Sequence, residues 1–317
     1  MSRGMEHNTS LAGGAAKNFT TYRDILRGSL KRLQQDYSLM LRDTSITDLD
    51  RSLIPSGINV WSLFGLQPRC WTTDSLEHSR LRDRALSQLQ EQRRTWEPIL
   101  HFFSPEDREE YDYVTSRMEA WATWTDTGLD PSIPRDIASL TERVDSIFVY
   151  MNCLLTELPD DVTPIRLVLD TNALMDNPSP TAYTEILGTK YWVHVPPTTL
   201  EEVDDLKRRA SDKLRSDAAR RIEKRLKGYR TQGDIGSGVK IEGEVWIVLE
   251  PGEPHPRDFP AVLRGASRDD RLAAFALHTR SRFPTCKVIV GTRDINLQTK
   301  LAAIRIPFIE TPAQQLQ

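Results

Sequence analysis

Four carboxylate-bearing stretches in the second half of this 317-residue chain share one pattern. In Leu167-Val168-Leu169-Asp170-Thr171-Asn172 a run of branched apolar residues ends abruptly in a carboxylate, a hydroxyl and an amide. The run reads as a buried parallel strand, and Asp-Thr-Asn as its exit into a turn that caps a helix. The second stretch is Thr198-Thr199-Leu200-Glu201-Glu202-Val203-Asp204-Asp205, where a helix starts on two glutamates. The third, Arg268-Asp269-Asp270-Arg271-Leu272, opens another helix, and in the fourth Gly291-Thr292-Arg293-Asp294 follows a second apolar run. Every acid falls at the exit of a strand or the entry of a helix. In a doubly wound sheet those points converge on one edge, where ligands bind.

Carboxylates gathered in one cleft repel and are costly to keep ionised without a cation. Hard divalent ions, Mg²⁺ or Mn²⁺, suit such oxygen ligands. A water on such an ion can serve as nucleophile, while the ion's charge offsets charge developing on a phosphate. A plainer origin exists for each acid alone, because the helix macrodipole favours carboxylates at helix N-termini. Asp170 by itself would read as no more than a cap. Four acids at matched topological positions, interleaved with Thr-Asn and Thr-x-Asp turns, do not fit that explanation comfortably.

The elements that must hold these residues alternate. Strands are expected at 166–170, 192–195, 245–250, 287–291 and 307–309, and helices near 180–187, 200–227, 268–282 and 295–303. Such alternation argues for a parallel sheet covered by helices on both faces. Upstream the pattern is helical, over 22–40, 75–95, from Ser104-Pro105 onward, and 137–155, with little strand character. Tyr111, Trp121 and Trp124 follow helical spacing and read as core. Residues 56–73 read as a loop carrying Trp61, Phe64 and Trp71. The expected organisation is a disordered segment 1–18, an all-α domain 19–158, a linker 159–164 between prolines, and an α/β domain 165–317.

Composition narrows the class. The chain is 38% hydrophobic and 27% charged, with mean hydropathy −0.48, which suits a globular protein with a charged surface. Its net charge of −3 gives no global sign of nucleic-acid binding, so a basic footprint must be local. Cys70, Cys153 and Cys286 lack paired spacing and suggest neither a disulfide framework nor a zinc site. No signal-like or bilayer-spanning run is present, and the cytoplasm is the default expectation.

The set Leu-Asp-Thr-Asn, Leu-Glu-Glu-Val-Asp, Asp-Asp-Arg-Leu and Gly-Thr-Arg-Asp-Ile-Asn-Leu resembles a PIN-domain nuclease over about 165–312, in the style of the PIN domains fused to PhoH-like ATPases. The resemblance implies a Rossmann-like α/β/α sandwich and metal-dependent cleavage of single-stranded RNA. Position by position, it implies that Asp170, Glu202, Asp269 and Asp294 are the catalytic acids and the ligands of Mg²⁺ or Mn²⁺. Glu201 and Asp270 are the neighbours that a register error of one would select. Thr171, Asn172 and Thr292 resemble the polar residues that hold such acids by hydrogen bonds. The ATPase itself is absent, since Gly233–Lys240 lacks the Gly-Lys-Ser/Thr ending of a phosphate loop and reads as a turn before a strand.

A local basic footprint does exist. Lys207, Arg208, Arg209, Lys213, Arg220, Arg221 and Lys224 follow Glu202 on what reads as one helix. Leu206, Ala210, Leu214, Ala218, Ile222 and Leu226 supply its buried side. These cations are the expected phosphate contacts for RNA, giving affinity without sequence reading. The histidines show no ligand spacing, and His194 falls within a strand. The expected activity is a metal-dependent endoribonuclease, with a homo-oligomer or a regulatory protein engaged through the N-terminal helices. The alternatives are a non-catalytic RNA-binding or scaffold protein of PIN-like fold, and a toxin-like nuclease held by a partner.

Overall fold

Apolar residues at helical spacing dictate the N-terminal unit. The computed structural model describes residues 20–42, 44, 46–48, 69–71, 75–123, 134, 136–209, 212–263 and 267–312, and its chain divides into two units after Leu158. The segment 1–18, Trp61, Phe64 and Trp124 lie outside the described residues. Helix α1 (Tyr22–Arg42) buries Leu26, Leu30, Leu33, Tyr37 and Met40. Helix α2 (Leu76–Trp96) is capped by Ser75, and α3 (Pro105–Ala122) by Ser104, whose hydroxyl accepts from Asp107 N at 3.0 Å. Pro105 takes the first helical position, where its missing N–H is harmless. Helix α4 (Ile137–Glu157) buries Leu140, Val144, Phe148, Met151 and Leu155. Trp96 stacks on Tyr111 with ring centroids 5.3 Å apart, so these aromatics fill the core. One feature departs from the helical expectation: β1 (Ile46–Asp48) and β2 (Arg69–Trp71) pair as a short antiparallel ribbon.

The second unit is built on β3 (Ile165–Leu169), buried along its whole length. Its chain continues through α5 (Thr171–Asp176), a 3₁₀ turn, α6 (Thr184–Leu187), β4 (Lys190–Val195), α7 (Pro197–Arg209) and α8 (Lys213–Arg230). Then follow β5 (Val239–Glu242), β6 (Glu244–Leu249), α9 (Arg268–Arg282), β7 (Lys287–Gly291), α10 (Ile295–Ala303) and β8 (Phe308–Ile309). The sheet order is β5-β6-β4-β3-β7-β8, parallel except where β5 pairs antiparallel with β6. Alternate residues feed two cores. Leu167, Leu169, Val193, Val195 and Ile247 pack with Val203, Ile222 and Leu226 on one face, while Val168, Val288 and Val290 pack with Leu272, Phe275 and Leu301 on the other. The unit is therefore an α/β/α sandwich. Strand β3 lies between β4, which follows it, and β7, which returns on its other side. That reversal of strand order opens a crevice beyond the strands' carboxyl ends.

Two expectations change. The helix expected over 200–227 is two helices, because Asp212 caps α8 by accepting from Leu214 N at 2.8 Å. An Asp that bonds the backbone ahead of it favours a new start over continuation. Leu214, expected on the buried side, is 79% exposed, and Ala219, Ile222 and Leu226 are the buried residues of α8. The glycines of 233–238 form a turn into β5, with no helix following. Gly238 has φ +100°, and a Cβ there would lie 2.2 Å from the Trp192 ring, so packing explains it without a phosphate. Among the described residues no helix is long and apolar enough to cross a membrane.

Candidate active site

A cleft of about 180 Å³ opens at the carboxyl ends of β3, β4 and β7. Asp170, Glu202, Asp269 and Asp294 all line it, with Thr171, Asn172, Thr198, Thr199 and Arg268. Glu201 and Asp270 do not. Glu201 points to Arg271, 2.9 Å away on α9. Asp270 is buried in a capping box with Ser267 and pairs with Lys300 Nζ at 3.0 Å. The helix thus assigns one of its two adjacent acids to its own N-terminus and leaves Asp269 to the cleft.

Asp170 serves two ends at once. One carboxylate oxygen caps α5 by accepting from Ala173 N, and the other accepts from the hydroxyl of fully buried Thr292. Thr292 Oγ1 also accepts from Asp294 N at 3.0 Å, which ties the first acid to the fourth. Thr171 Oγ1 donates to Glu202 Oε2 at 2.9 Å, tying the first stretch to the second. Thr199 Oγ1 donates to Leu169 O at 3.0 Å and fastens the start of α7 to the end of β3. Asn172 lines the cleft but is exposed, and among the described residues it makes no hydrogen bond to the four acids, contrary to its expected role.

Burial is the main reason that the Asp170 carboxyl is pushed up to about 6. The Thr292 hydroxyl and Ala173 N–H hold it down, whereas the negative charges of Glu202 and Asp294 raise it further. A buried carboxylate facing two others is the environment a cation relieves.

The cleft's donors are carboxylate oxygens, whose second lone pairs remain for a ligand after each hydrogen bond above. That donor set suits a hard divalent ion such as Mg²⁺ or Mn²⁺. In the arrangement seen, however, among the described residues no three His, Cys, Asp or Glu side chains form a metal-holding group. Two of the acids instead have one of the protein's own cations beside them. Arg268 Nη1 stands 3.9 Å from Glu202 Oε1, and Lys300 Nζ 3.4 Å from Asp269 Oδ2. The four acids are thus gathered around one cleft without converging on one point.

Residues 167–310 match the profile of the PIN domain. The C-terminal unit is a PIN domain. PIN domains are generally nucleases. No curated protein matches the chain.

The expected basic footprint lies outside the PIN domain's cleft: none of its described members lines the cleft. Lys207 is engaged by Asp204 at 2.9 Å and Glu223 at 3.1 Å, a clasp between α7 and α8. Arg208 is exposed, 3.8 Å from Asp204, and Lys213, Arg220, Arg221 and Lys224 are exposed on α8. The side chain of Arg209 lies outside the described set. Since α7 ends before α8 begins, Arg209 and Lys213 do not share one helix face at a spacing of four.

Sequence reasoning missed three neighbours of the acids: Arg268, Lys300 and Thr198. Thr198 is buried at the cleft wall, with a hydroxyl that has no hydrogen-bond partner among the described residues. Its signal was present as the Thr-Thr pair before Leu200. His194 is a core residue, buried with Nδ1 2.6 Å from Glu250 Oε1, and burial lowers its pKa.

Proposed function

We propose that this protein is a metal-dependent endoribonuclease acting on single-stranded RNA at the PIN-domain cleft. The observation that carries the proposal is the gathering of Asp170, Glu202, Asp269 and Asp294 around one cleft, with buried Asp170 hydrogen-bonded at both oxygens. In this reading the four acids hold Mg²⁺ or Mn²⁺. When bound, the ion supplies an activated water and offsets charge on the phosphate. The chain's own groups do the rest. Thr292 and Thr171 fix the carboxylates of Asp170 and Glu202, so their oxygens need little reorganisation when a cation arrives. Exposed Arg208, Lys213, Arg220, Arg221 and Lys224 provide phosphate contacts away from the chemistry. Hydrolysis by water leaves a 5′-phosphate and a 3′-hydroxyl.

The pairing of Glu202 with Arg268 and of Asp269 with Lys300 favours a second reading, in which the domain binds RNA without cutting it. One assay separates the two. Purified full-length protein is incubated with a labelled single-stranded RNA in Mn²⁺ and, separately, in EDTA. The nuclease reading expects 5′-phosphorylated products in Mn²⁺ alone. Equal cutting in EDTA would exclude the metal mechanism, and retention of intact RNA in Mn²⁺ would favour the binding protein.

A further inference from the structure

Arg268 is the one cation among the described residues that line the cleft. It is the first residue of α9, where a positive charge opposes the helix macrodipole. The helix does not need it there, because Ser267 and Asp270 already close a capping box. What holds the guanidinium is a pair of carboxylates on α7: Asp205, hydrogen-bonded to Nη2, and Glu202, 3.9 Å from Nη1. Both acids are about one-third exposed and Arg268 is 45% exposed. Ion pairs of that exposure are well screened by water and add little, so the guanidinium is easily released.

We propose that Arg268 neutralises Glu202 in the metal-free protein and turns to bind the RNA phosphate when a divalent ion takes that carboxylate. The inference rests on the nuclease reading of the cleft. It follows from geometry and charge. Glu202 Oε2 is held by Thr171, which leaves Oε1 to face Arg268. A cation drawn to Glu202 displaces the guanidinium, which remains tethered at the cleft rim. Its planar fork matches two non-bridging oxygens of a phosphodiester, a geometry that lysine does not reproduce. A polyanion approaching four carboxylates then meets the released guanidinium at the cleft rim.

The two roles give opposite signs in one variant. In Arg268→Gln, the RNA-free protein should bind Mn²⁺ about two- to fivefold more tightly, because a competitor of modest strength is gone. The same variant should lose roughly ten- to a hundredfold in kcat/KM for single-stranded RNA, mainly through KM, as a charge-assisted hydrogen bond is lost. The slope of log affinity against log salt should become shallower by about 0.7. Arg268→Lys should restore the salt slope but only part of kcat/KM. Calorimetric Mn²⁺ titration and RNA binding across salt concentrations read these quantities without requiring turnover. A protein that binds RNA in Mn²⁺ without cutting it would sink the nuclease reading, yet leave the affinity and salt slope of Arg268→Gln as the test of Arg268. Unchanged Mn²⁺ affinity, or unchanged RNA affinity and salt slope, would overturn the proposal and leave Arg268 as a strut between α7 and α9.

Discussion

Replacing Asp170 by asparagine should make the metal-free protein more stable at pH 7.5 while abolishing cleavage. A carboxylate whose pKa rises from 3.8 to about 6 on folding binds its proton more tightly in the native state. Its contribution is therefore most favourable below pH 4 and is lost as pH rises through 6. A shift of that size corresponds to about 3 kcal/mol of cost for the ionised native form. Asparagine removes the charge and still caps α5, since Asn and Asp are comparable N-caps. It gives back part of the gain through weaker bonds from Ala173 N–H and Thr292. A net gain of about 1–2 kcal/mol would appear as roughly 2–8 °C in the melting temperature. Calorimetry in EDTA at pH 7.5 and pH 4.5 checks both size and sign, because the gain should shrink at the lower pH. If Asp170 were only a cap, the variant would still cut RNA.

The second large effect separates neighbours. Glu202→Gln and Asp269→Asn should each lower kcat by roughly a hundredfold or more, beyond what outer partners of a metal site contribute. Glu201→Gln removes only an exposed contact to Arg271 and should leave both stability and turnover near wild type. Asp270→Asn should behave differently again. It breaks the capping box and a contact to Lys300, so about 1–2 kcal/mol of stability goes while turnover below the melting transition persists. Melting curves beside initial rates distinguish the cases. Turnover lost in Glu201→Gln or Asp270→Asn but retained in their neighbours would displace the site by one residue.

The parts of this domain that could be read in advance are those governed by local rules. Branched apolar runs ending in Asp or Gly placed β3 and β7 to within a residue, and the helices expected to start at 268 and 295 do so, where Ser267 and Asp294 turn out to be the caps. The break between α7 and α8 was hidden because Leu206, Ala210, Leu214 and Ala218 continue a step of four across it. On a helix of 3.6 residues per turn such a series drifts about 40° per step, so step-of-four spacing alone does not keep a residue on the buried face. Leu214 at 79% exposure is the result. The partners of the acids were invisible for another reason. Arg268 reaches α7 and Lys300 reaches the start of α9, and contacts between elements leave no trace in spacing along one element. The ribbon of β1 and β2 escaped because three-residue strands carry too little alternation to register.

Crystals of the protein soaked in Mn²⁺ and measured at the manganese absorption edge test the central claim most directly. An anomalous peak is expected in the cleft, bonded to Asp170 and at least one of Glu202, Asp269 and Asp294, with Arg268 turned away from Glu202. The same soak of Asp170→Asn should leave the cleft without a peak. Manganese bound only outside the cleft, or bound identically in the variant, would contradict the assignment of these acids as the metal site.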